Sequence, residues 1–263
     1  MIAVPGRIVA ISVAFLASAA GTADAQGRRG GPPTRAVRAG TIEQVTVGGR
    51  EAAVYLPPSY ASDAARRFPV VYLIAEGPLN ALKLPEAADR LAIAQGFSEP
   101  IVVAADATAV LAADSEKLVA DDLVASVDTR YRTIAARISR GLAGVSTGGD
   151  SALRTAMKRT GVFSSLHLMN ASIAETTLTM LDDRAGDLRR YYAIAIDVGT
   201  KDSSIAANRR LHDAMTRASI PHYYEEYEGD HADKVSERVS TRLLPFFSKN
   251  LAAPANPTSP AVQ

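Results

Sequence analysis

A serine lies between two glycines at residues 144–148, in a G-x-S-x-G pattern that continues an apolar run at residues 141–145. The residues that follow favour a helix. A serine on such a tight strand-to-helix turn projects its hydroxyl above a sheet, and the flanking positions must be small because bulky side chains would collide there. We therefore predict that Ser146 is a nucleophile. A glycine-rich turn with a purely structural role is the alternative interpretation.

A nucleophilic serine that attacks a carbonyl needs backbone N–H groups to stabilise the oxyanion that forms. The N–H of Thr147, at the N-terminus of the predicted helix, supplies one donor. The second donor is expected in the loop after an earlier strand, and Gly77 lies in the loop that follows the apolar run at residues 70–74. We predict the Gly77 N–H for this role, although an ordinary strand-to-helix loop would also explain this glycine.

Serine hydrolases with this turn present their partners in the chain order serine, acid, histidine. Asp202 follows the apolar run at residues 193–198 and precedes a predicted helix, so it is the predicted acid. A role as a helix N-cap is the alternative for this residue. Asp197 is the weaker candidate because it lies within the strand itself, where a buried carboxylate without a partner would be costly.

Four histidines are available as a base. His231 is predicted because it lies on a loop after the acid, its helix and a further strand-like run. His222 lies at the start of that strand, His212 lies on a helix, and His167 lies in a strand that precedes the acid. These three are predicted to be structural.

Together the three side chains predict a proton transfer from Ser146 to His231, with Asp202 holding the imidazole in the required tautomer. The product of this attack on an ester is an acyl-enzyme, which water then hydrolyses. Entry of another hydroxyl would make the protein an acyltransferase. A binding protein that keeps the fold without catalysis is the alternative from another functional class.

The elements that must position these residues alternate between short apolar runs and helix-length segments, which predicts an α/β fold with a mostly parallel sheet and helices on both faces. Two β-prone runs joined through Gly48 and Gly49 predict an antiparallel N-terminal edge. The predicted strands are 44–47, 52–56, 70–74, 101–104, 141–145, 166–169, 193–196 and 222–227. The predicted helices are 85–95, 118–131, 151–160, 206–218 and 235–251. We expect a single domain over residues 41–252.

Composition narrows the choice of partner. The 263-residue chain is 47% hydrophobic and 22% charged, with a net charge of +1, and no basic stretch has interleaved aromatic residues. We therefore expect a small-molecule ester as substrate and no nucleic-acid partner. The chain has no cysteine, which excludes disulfides, and no histidine pair has metal-ligand spacing, so neither a metal ion nor another cofactor is expected.

Both ends of the chain have a different character. Residues 1–25 combine an arginine, an apolar stretch of about 13 residues and an Ala-x-Ala site, which predicts a signal peptide. That stretch is shorter than the roughly 20 residues that span a bilayer, so no stable membrane insertion is expected after cleavage.

The composition of residues 26–40 predicts a flexible leader, and residues 253–263 are predicted to form a disordered tail. The protein is thus predicted to be exported, to the periplasm or outside the cell. The sequence does not indicate an oligomeric state.

Six stretches of residues 50–251 resemble the putative-esterase family of α/β-hydrolases, which includes feruloyl esterases, siderophore esterases, S-formylglutathione hydrolase and the mycolyltransferases. They are VYLPPSY at 54–60, FPVVYLI at 68–74, DTRYRT at 128–133, RGLAGVS at 140–146, GTKD at 199–202 and GDH at 229–231. The resemblance implies an α/β-hydrolase fold and esterase activity. It places Ser146, Asp202 and His231 at the triad positions, and Gly77 and Thr147 at the oxyanion positions.

The chain departs from this family pattern beside the oxyanion position. Family members commonly have His-Gly or Asp-Gly after the strand that corresponds to residues 70–74, whereas this chain has Ala75 and Glu76. A Glu76 carboxylate that pointed inward would oppose formation of the oxyanion. The departure therefore predicts weak activity or an unusual substrate.

Overall fold

The computed structural model of the protein describes residues 39–111 and 114–253. The predicted signal peptide (1–25), most of the predicted leader (26–40) and nearly all of the predicted tail (253–263) lie outside the described residues. In the part that is described, no helix has the length and apolar character needed to cross a bilayer.

A central sheet organises the described residues. Its strands are β1 (Thr41–Val47), β2 (Arg50–Leu56), β3 (Val70–Ala75), β4 (Ile101–Asp106), β5 (Arg140–Val145), β6 (Ser165–Met169), β7 (Ala193–Gly199) and β8 (Tyr223–Tyr227). They lie in the order β1-β2-β4-β3-β5-β6-β7-β8. The β1/β2 and β2/β4 pairs are antiparallel, and the other neighbours are parallel. The predicted mostly parallel sheet with an antiparallel N-terminal edge is confirmed.

Helices cover both faces of the sheet. Their bounds are α1 (Pro58–Ser62), α2 (Leu84–Leu91), α3 (Ala107–Leu111), α4 (Ser115–Lys117), α5 (Val124–Arg130), α6 (Gly148–Lys158), α7 (Glu175–Leu188), α8 (Ile205–Arg217), α9 (Val235–Arg238) and α10 (Leu244–Asn250). Two 3₁₀ turns (Leu79–Leu82 and Arg137–Ser139) and two π-helical segments (Leu118–Leu123 and Val239–Leu243) complete them. Residues of α6, α7 and α8 belong to the core on one face, and residues of α2 and α10 to the core on the other.

The apolar strands are explained by burial on both faces. All six residues of β3 are buried, and successive side chains of a strand point to opposite faces. Alternate residues accordingly enter different cores: Val70, Tyr72 and Ile74 the first, and Val71, Leu73 and Ala75 the second. A strand covered on both sides has no solvent face, so its sequence is apolar throughout rather than alternating.

The N-terminal hairpin has the predicted two-residue turn. Gly48 and Gly49 have φ angles of 58° and 74°. A turn with two positive φ angles matches the right-handed twist of the paired strands, and glycine adopts such angles without a steric cost. The turn sets the register in which Val47 pairs with Arg50.

The helices differ from the predictions in several places. The predicted helix 85–95 ends at Leu91. The predicted helix 235–251 is interrupted by a π-helical segment that ends at Leu243, two residues before Pro245, and proline cannot donate the backbone hydrogen bond that a regular α-helix requires. The predicted helix 118–131 likewise contains a π-helical segment, for which the sequence offers no comparable reason. Helix α7 was not predicted.

A network of charged side chains joins the C-terminal helices to the sheet. Arg238 is buried and donates through Nε to Asp197 Oδ1 at 3.1 Å, while its Nη2 lies 2.9 Å from Glu225 Oε2. Arg242 also donates to Glu225 at 2.7 Å, and His167 Nε2 lies 2.7 Å from Asp197 Oδ2. Asp197, which lies within β7, therefore has one partner on α9 and one on β6, so its burial is compensated.

The pKa of Glu225 provides a test of this network. Hydrogen bonds from Arg242 and then Arg238 lower the pKa of its carboxyl to about 2, from an ordinary value of 4.5. A carboxylate with a lowered pKa in the folded state stabilises the protein above pH 4.5, and this contribution is lost as the pH falls toward 2. Because the side chain is 39% exposed, solvent screening limits the effect to about 1 kcal/mol.

We expect Glu225→Gln to lower the free energy of unfolding by about 1 kcal/mol at pH 7. Below pH 4.5 this difference from the unsubstituted protein should shrink. Urea unfolding at pH 7 and pH 3 measures it. Glu228→Gln, at a carboxylate that has no ion pair among the described residues, is the control. An equal loss of stability at both pH values would contradict this account.

Candidate active site

Ser146 occupies a strained turn between β5 and α6. Its φ angle is 55°, in the left-handed region that residues other than glycine rarely adopt. The surrounding backbone holds this conformation: Ser146 N donates to Met169 O at 3.2 Å, and Ser146 O accepts from Ser172 N at 2.9 Å and Gly149 N at 3.0 Å. The turn thus presents the side chain at the carboxyl ends of the parallel strands.

The small residues of the motif are required by close backbone contacts. A Cβ atom at Gly148 would lie 2.1 Å from the carbonyl oxygen of Ile74, and one at Gly144 would lie 2.6 Å from the Cα of Gly149. Both distances are too short for any side chain. Helix α6 can approach β3 and β5 closely enough to form the turn only if glycines stand at these positions.

Two further side chains form a hydrogen-bonded chain with Ser146. Its Oγ lies 2.9 Å from His231 Nε2, and His231 Nδ1 lies 2.8 Å from Asp202 Oδ2. Asp202 follows β7 and its side chain is fully buried, whereas His231 follows β8 and its side chain is 45% exposed. The sheet order brings together three residues that are far apart in the sequence.

The carboxylate of Asp202 uses its two oxygens differently. Oδ1 accepts from the N–H of Ser204 at 2.7 Å, which fixes the carboxylate just before α8, while Oδ2 faces the imidazole. The N-cap residue of α8 is Ser204 rather than Asp202. Since a carboxylate only accepts hydrogen bonds, His231 carries its proton on Nδ1, and Nε2 is left to accept the hydroxyl proton of Ser146.

A buried asparagine, which the sequence interpretation did not single out, joins the two loops that carry the histidine and the acid. Asn170 follows β6 with a φ angle of 47° and is fully buried. Its Nδ2 donates to the carbonyl oxygen of His231 at 3.1 Å and lies 2.7 Å from the hydroxyl of Tyr227, and its Oδ1 accepts from the N–H of Gly199 at 3.0 Å. An asparagine directly after a buried strand, where a left-handed residue is tolerated, is the signal that could have identified it.

The two predicted oxyanion donors differ in their surroundings. Within residues 39–111 and 114–253, the Thr147 N–H has no hydrogen-bond acceptor. The Gly77 N–H, in contrast, donates to Asp106 Oδ2 at 3.2 Å, so it is directed at β4. The hydroxyl of Thr147 donates to Glu76 Oε1 at 2.7 Å. A carboxylate therefore lies beside the residue that follows the serine.

The other three histidines make contacts that do not involve Ser146 or Asp202. His167 is buried and bonds to Asp197, as described above. His212 Nδ1 lies 2.8 Å from His222 Nε2, and the latter ring also contacts the carbonyl oxygen of Ile220 through Nδ1. Among the described side chains, no group of three or more His, Asp or Glu residues is placed to hold a metal ion.

Comparisons with known proteins identify the family and the fold of the chain. The sequence profile of a family described as "Putative esterase" matches residues 45–235. A solved structure of a ferulic acid esterase superposes with a TM-score of 0.72 at 22% identity, covering 81% of this chain and 98% of that one. An S-formylglutathione hydrolase from Staphylococcus aureus superposes with a TM-score of 0.67 at 14% identity, covering 80% and 96%.

A third solved structure, the feruloyl esterase module of Clostridium thermocellum complexed with sinapinate, superposes with a TM-score of 0.68 at 17% identity and covers 83% of this chain and 92% of that one. At these identities the structures show the shared α/β-hydrolase fold. The family profile covers well over half of the sequence. The chain therefore belongs to the putative esterase family and is a serine carboxylic-ester hydrolase.

Proposed function

We propose that Ser146 is the nucleophile of this esterase, His231 its general base and Asp202 the residue that orients the base. The observation that carries this assignment is the unbroken chain of two hydrogen bonds, 2.9 Å from Ser146 Oγ to His231 Nε2 and 2.8 Å from His231 Nδ1 to Asp202 Oδ2. Nucleophilic catalysis by a serine hydrolase uses contacts of this length and in this order.

The reaction begins when His231 Nε2 takes the hydroxyl proton and Ser146 Oγ bonds to the carbonyl carbon of the ester. The buried Asp202 stabilises the imidazolium that forms. When the tetrahedral intermediate collapses, the bond to the alcohol oxygen breaks, and His231 gives its proton to the leaving alkoxide. Water then attacks the acyl-Ser146 ester while His231 takes one of its protons. When this second intermediate collapses, the bond between the acyl carbon and Ser146 Oγ breaks, His231 returns the proton to Oγ, and the carboxylic acid is released.

The proposed oxyanion hole contains the N–H groups of Thr147 and Gly77. Thr147 supports this role directly, since its N–H has no acceptor among the described residues and lies at the N-terminus of α6. Gly77 would have to release Asp106 and turn toward the substrate. Its φ angle of 73° lies where glycine rotates without the steric cost that a side chain would add.

The same acyl-enzyme would also allow transfer of the acyl group to an alcohol instead of water. We further propose that cleavage after residue 25 releases an exported protein whose folded domain spans residues 41–252. The intact mass of the protein recovered from the expressing cells tests that cleavage.

The first prediction concerns the nucleophile. Ser146→Ala should reduce kcat on short-chain p-nitrophenyl esters by about 10³-fold or more, because no other group forms the acyl-enzyme. A fluorophosphonate probe should label the unsubstituted protein and not the variant. Ser151→Ala is the matched control, since Ser151 is buried in α6 with no hydrogen-bond partner in the described part of the chain. Equal turnover and equal labelling in all three proteins would contradict the assignment of Ser146 as the nucleophile.

The second prediction separates the two aspartates considered from the sequence. Asp202→Asn should lower kcat by about 10³- to 10⁴-fold, because an amide favours the wrong imidazole tautomer. Asp197→Asn should instead lower the thermal unfolding midpoint, since it removes a charge that compensates the buried Arg238. Esterase assays and thermal unfolding of both variants measure these effects. A larger loss of kcat in Asp197→Asn would contradict the assignment of the acid.

The third prediction concerns Asn170 as a positioning residue. Asn170→Ala removes the hydrogen bonds to His231 O and Gly199 N, so we expect kcat to fall by about 10- to 100-fold through misplacement of the base. KM for a small ester should change little. Tyr227→Phe is the matched control, since it removes only one hydroxyl from the same cluster, and its loss of kcat should be smaller. If Asn170→Ala lowered the unfolding midpoint and left kcat of the folded enzyme unchanged, its role would be structural only.

A further inference from the structure

A carboxylate lies next to the proposed oxyanion hole. Glu76 Oε1 is 2.7 Å from the hydroxyl of Thr147, and the backbone N–H of Thr147 is the proposed donor to the oxyanion. Glu76 itself is exposed to solvent and carries a formal negative charge. A negative charge therefore lies a few ångströms from the place where the substrate carbonyl must bind.

The cavity that opens at the next residue is lined, among the described residues, without a positive side chain. A cavity of about 370 Å³ opens at Gly77, the residue after Glu76, and its polar lining consists of Gln44, Glu51, Asn80 and Asp106. None of the residues that line it is Lys, Arg or His. Hydrogen bonds, first from the Thr108 hydroxyl and then from the Gly77 N–H, lower the pKa of Asp106, so this carboxylate is also ionised.

The negative charges of Glu76 and Asp106 act differently on neutral and on cationic esters. A carboxylate near the reacting carbonyl raises the energy of the negatively charged tetrahedral intermediate, and this effect acts on every substrate. A positive group on the substrate gains an attraction that offsets it. For an exposed pair of charges separated by roughly 6 Å, Coulomb's law gives a preference of about 3- to 10-fold in kcat/KM at low salt.

We infer that Glu76 is a specificity-determining residue that makes this esterase prefer substrates with a positively charged group, such as an ammonium, over neutral or anionic esters of the same shape. The inference rests on the proposed function, because it requires the ester to bind at Ser146. It gives the glutamate beside the proposed oxyanion hole a role in the choice of substrate.

Two thioesters of the same shape test this preference. Acetylthiocholine and 3,3-dimethylbutyl thioacetate differ in that a quaternary nitrogen in the first replaces a carbon in the second. The ratio of their kcat/KM values is measured at low ionic strength and again in 0.5 M NaCl, at which screening removes most of the attraction (~4 Å Debye length). A second readout is the inhibition of p-nitrophenyl acetate turnover by choline and by 3,3-dimethylbutan-1-ol, expressed as the ratio of the two inhibition constants.

The variants are Glu76→Gln, which removes the charge, and Glu76→Lys, which reverses it. Asp213→Asn changes the net charge by the same amount as Glu76→Gln, at an exposed position on α8, and is the control. In the unsubstituted protein and the control, the cationic compound should be preferred by about 3- to 10-fold. The preference should disappear in Glu76→Gln, invert in Glu76→Lys and weaken in salt.

The inference is overturned if Glu76→Gln hydrolyses the neutral and cationic esters, and binds the two alcohols, in the same ratio as the unsubstituted protein. That result would leave the proposed function intact, since turnover and labelling of Ser146 would persist. Absence of both turnover and labelling in the unsubstituted protein would instead overturn the proposed function, and this inference with it.

Discussion

The close approach of helix α6 to the strands beneath it is the constraint on which the site depends. Backbone atoms of Gly148 and Gly149 lie so near to Ile74 and Ala171 that even a methyl group would not fit. In the turn that leads into this contact, Ser146, two residues before Gly148, adopts the left-handed region, at a cost of about 1–2 kcal/mol. The strain is tolerated because the hydrogen bonds to Met169 and Ser172 hold the turn on both sides.

The remaining parts of the site follow from the sheet order. Strands β5, β6, β7 and β8 are parallel neighbours, so the loops after them meet at one edge of the sheet. Asn170, after β6, lies between the serine on one side and the acid and histidine on the other, and its amide bonds to both of the latter loops. The positions of the acid and the histidine are therefore coupled through one buried side chain, rather than set independently.

Much of this arrangement could be predicted from the sequence because the signals are local. The run at residues 141–145, the G-x-S-x-G turn and the two glycines of the hairpin each report their own backbone conformation. Long-range contacts give no such signal. The partners of Asp197 are Arg238 and His167, which are distant in sequence, and the bond from Gly77 to Asp106 joins loops of two neighbouring strands. Helix α7 was missed although Leu178, Leu181, Ala185 and Leu188 have helical spacing, because acidic residues and glycine interrupt the pattern.

The place of the N-terminal hairpin in the sheet has a consequence for the order of folding. Strands β1 and β2 come first in the chain, but β2 pairs with β4, and β3 lies on the far side of β4. The hairpin can close on itself as soon as it is made, yet it has no sheet to join until Ile101–Asp106 has been synthesised. Until then its apolar side chains have no partner. A chain that emerges from a ribosome or a membrane pore N-terminus first can therefore join its first four strands in one sheet only once β4 has appeared, and it then adds β5, β6, β7 and β8 in chain order beside β3.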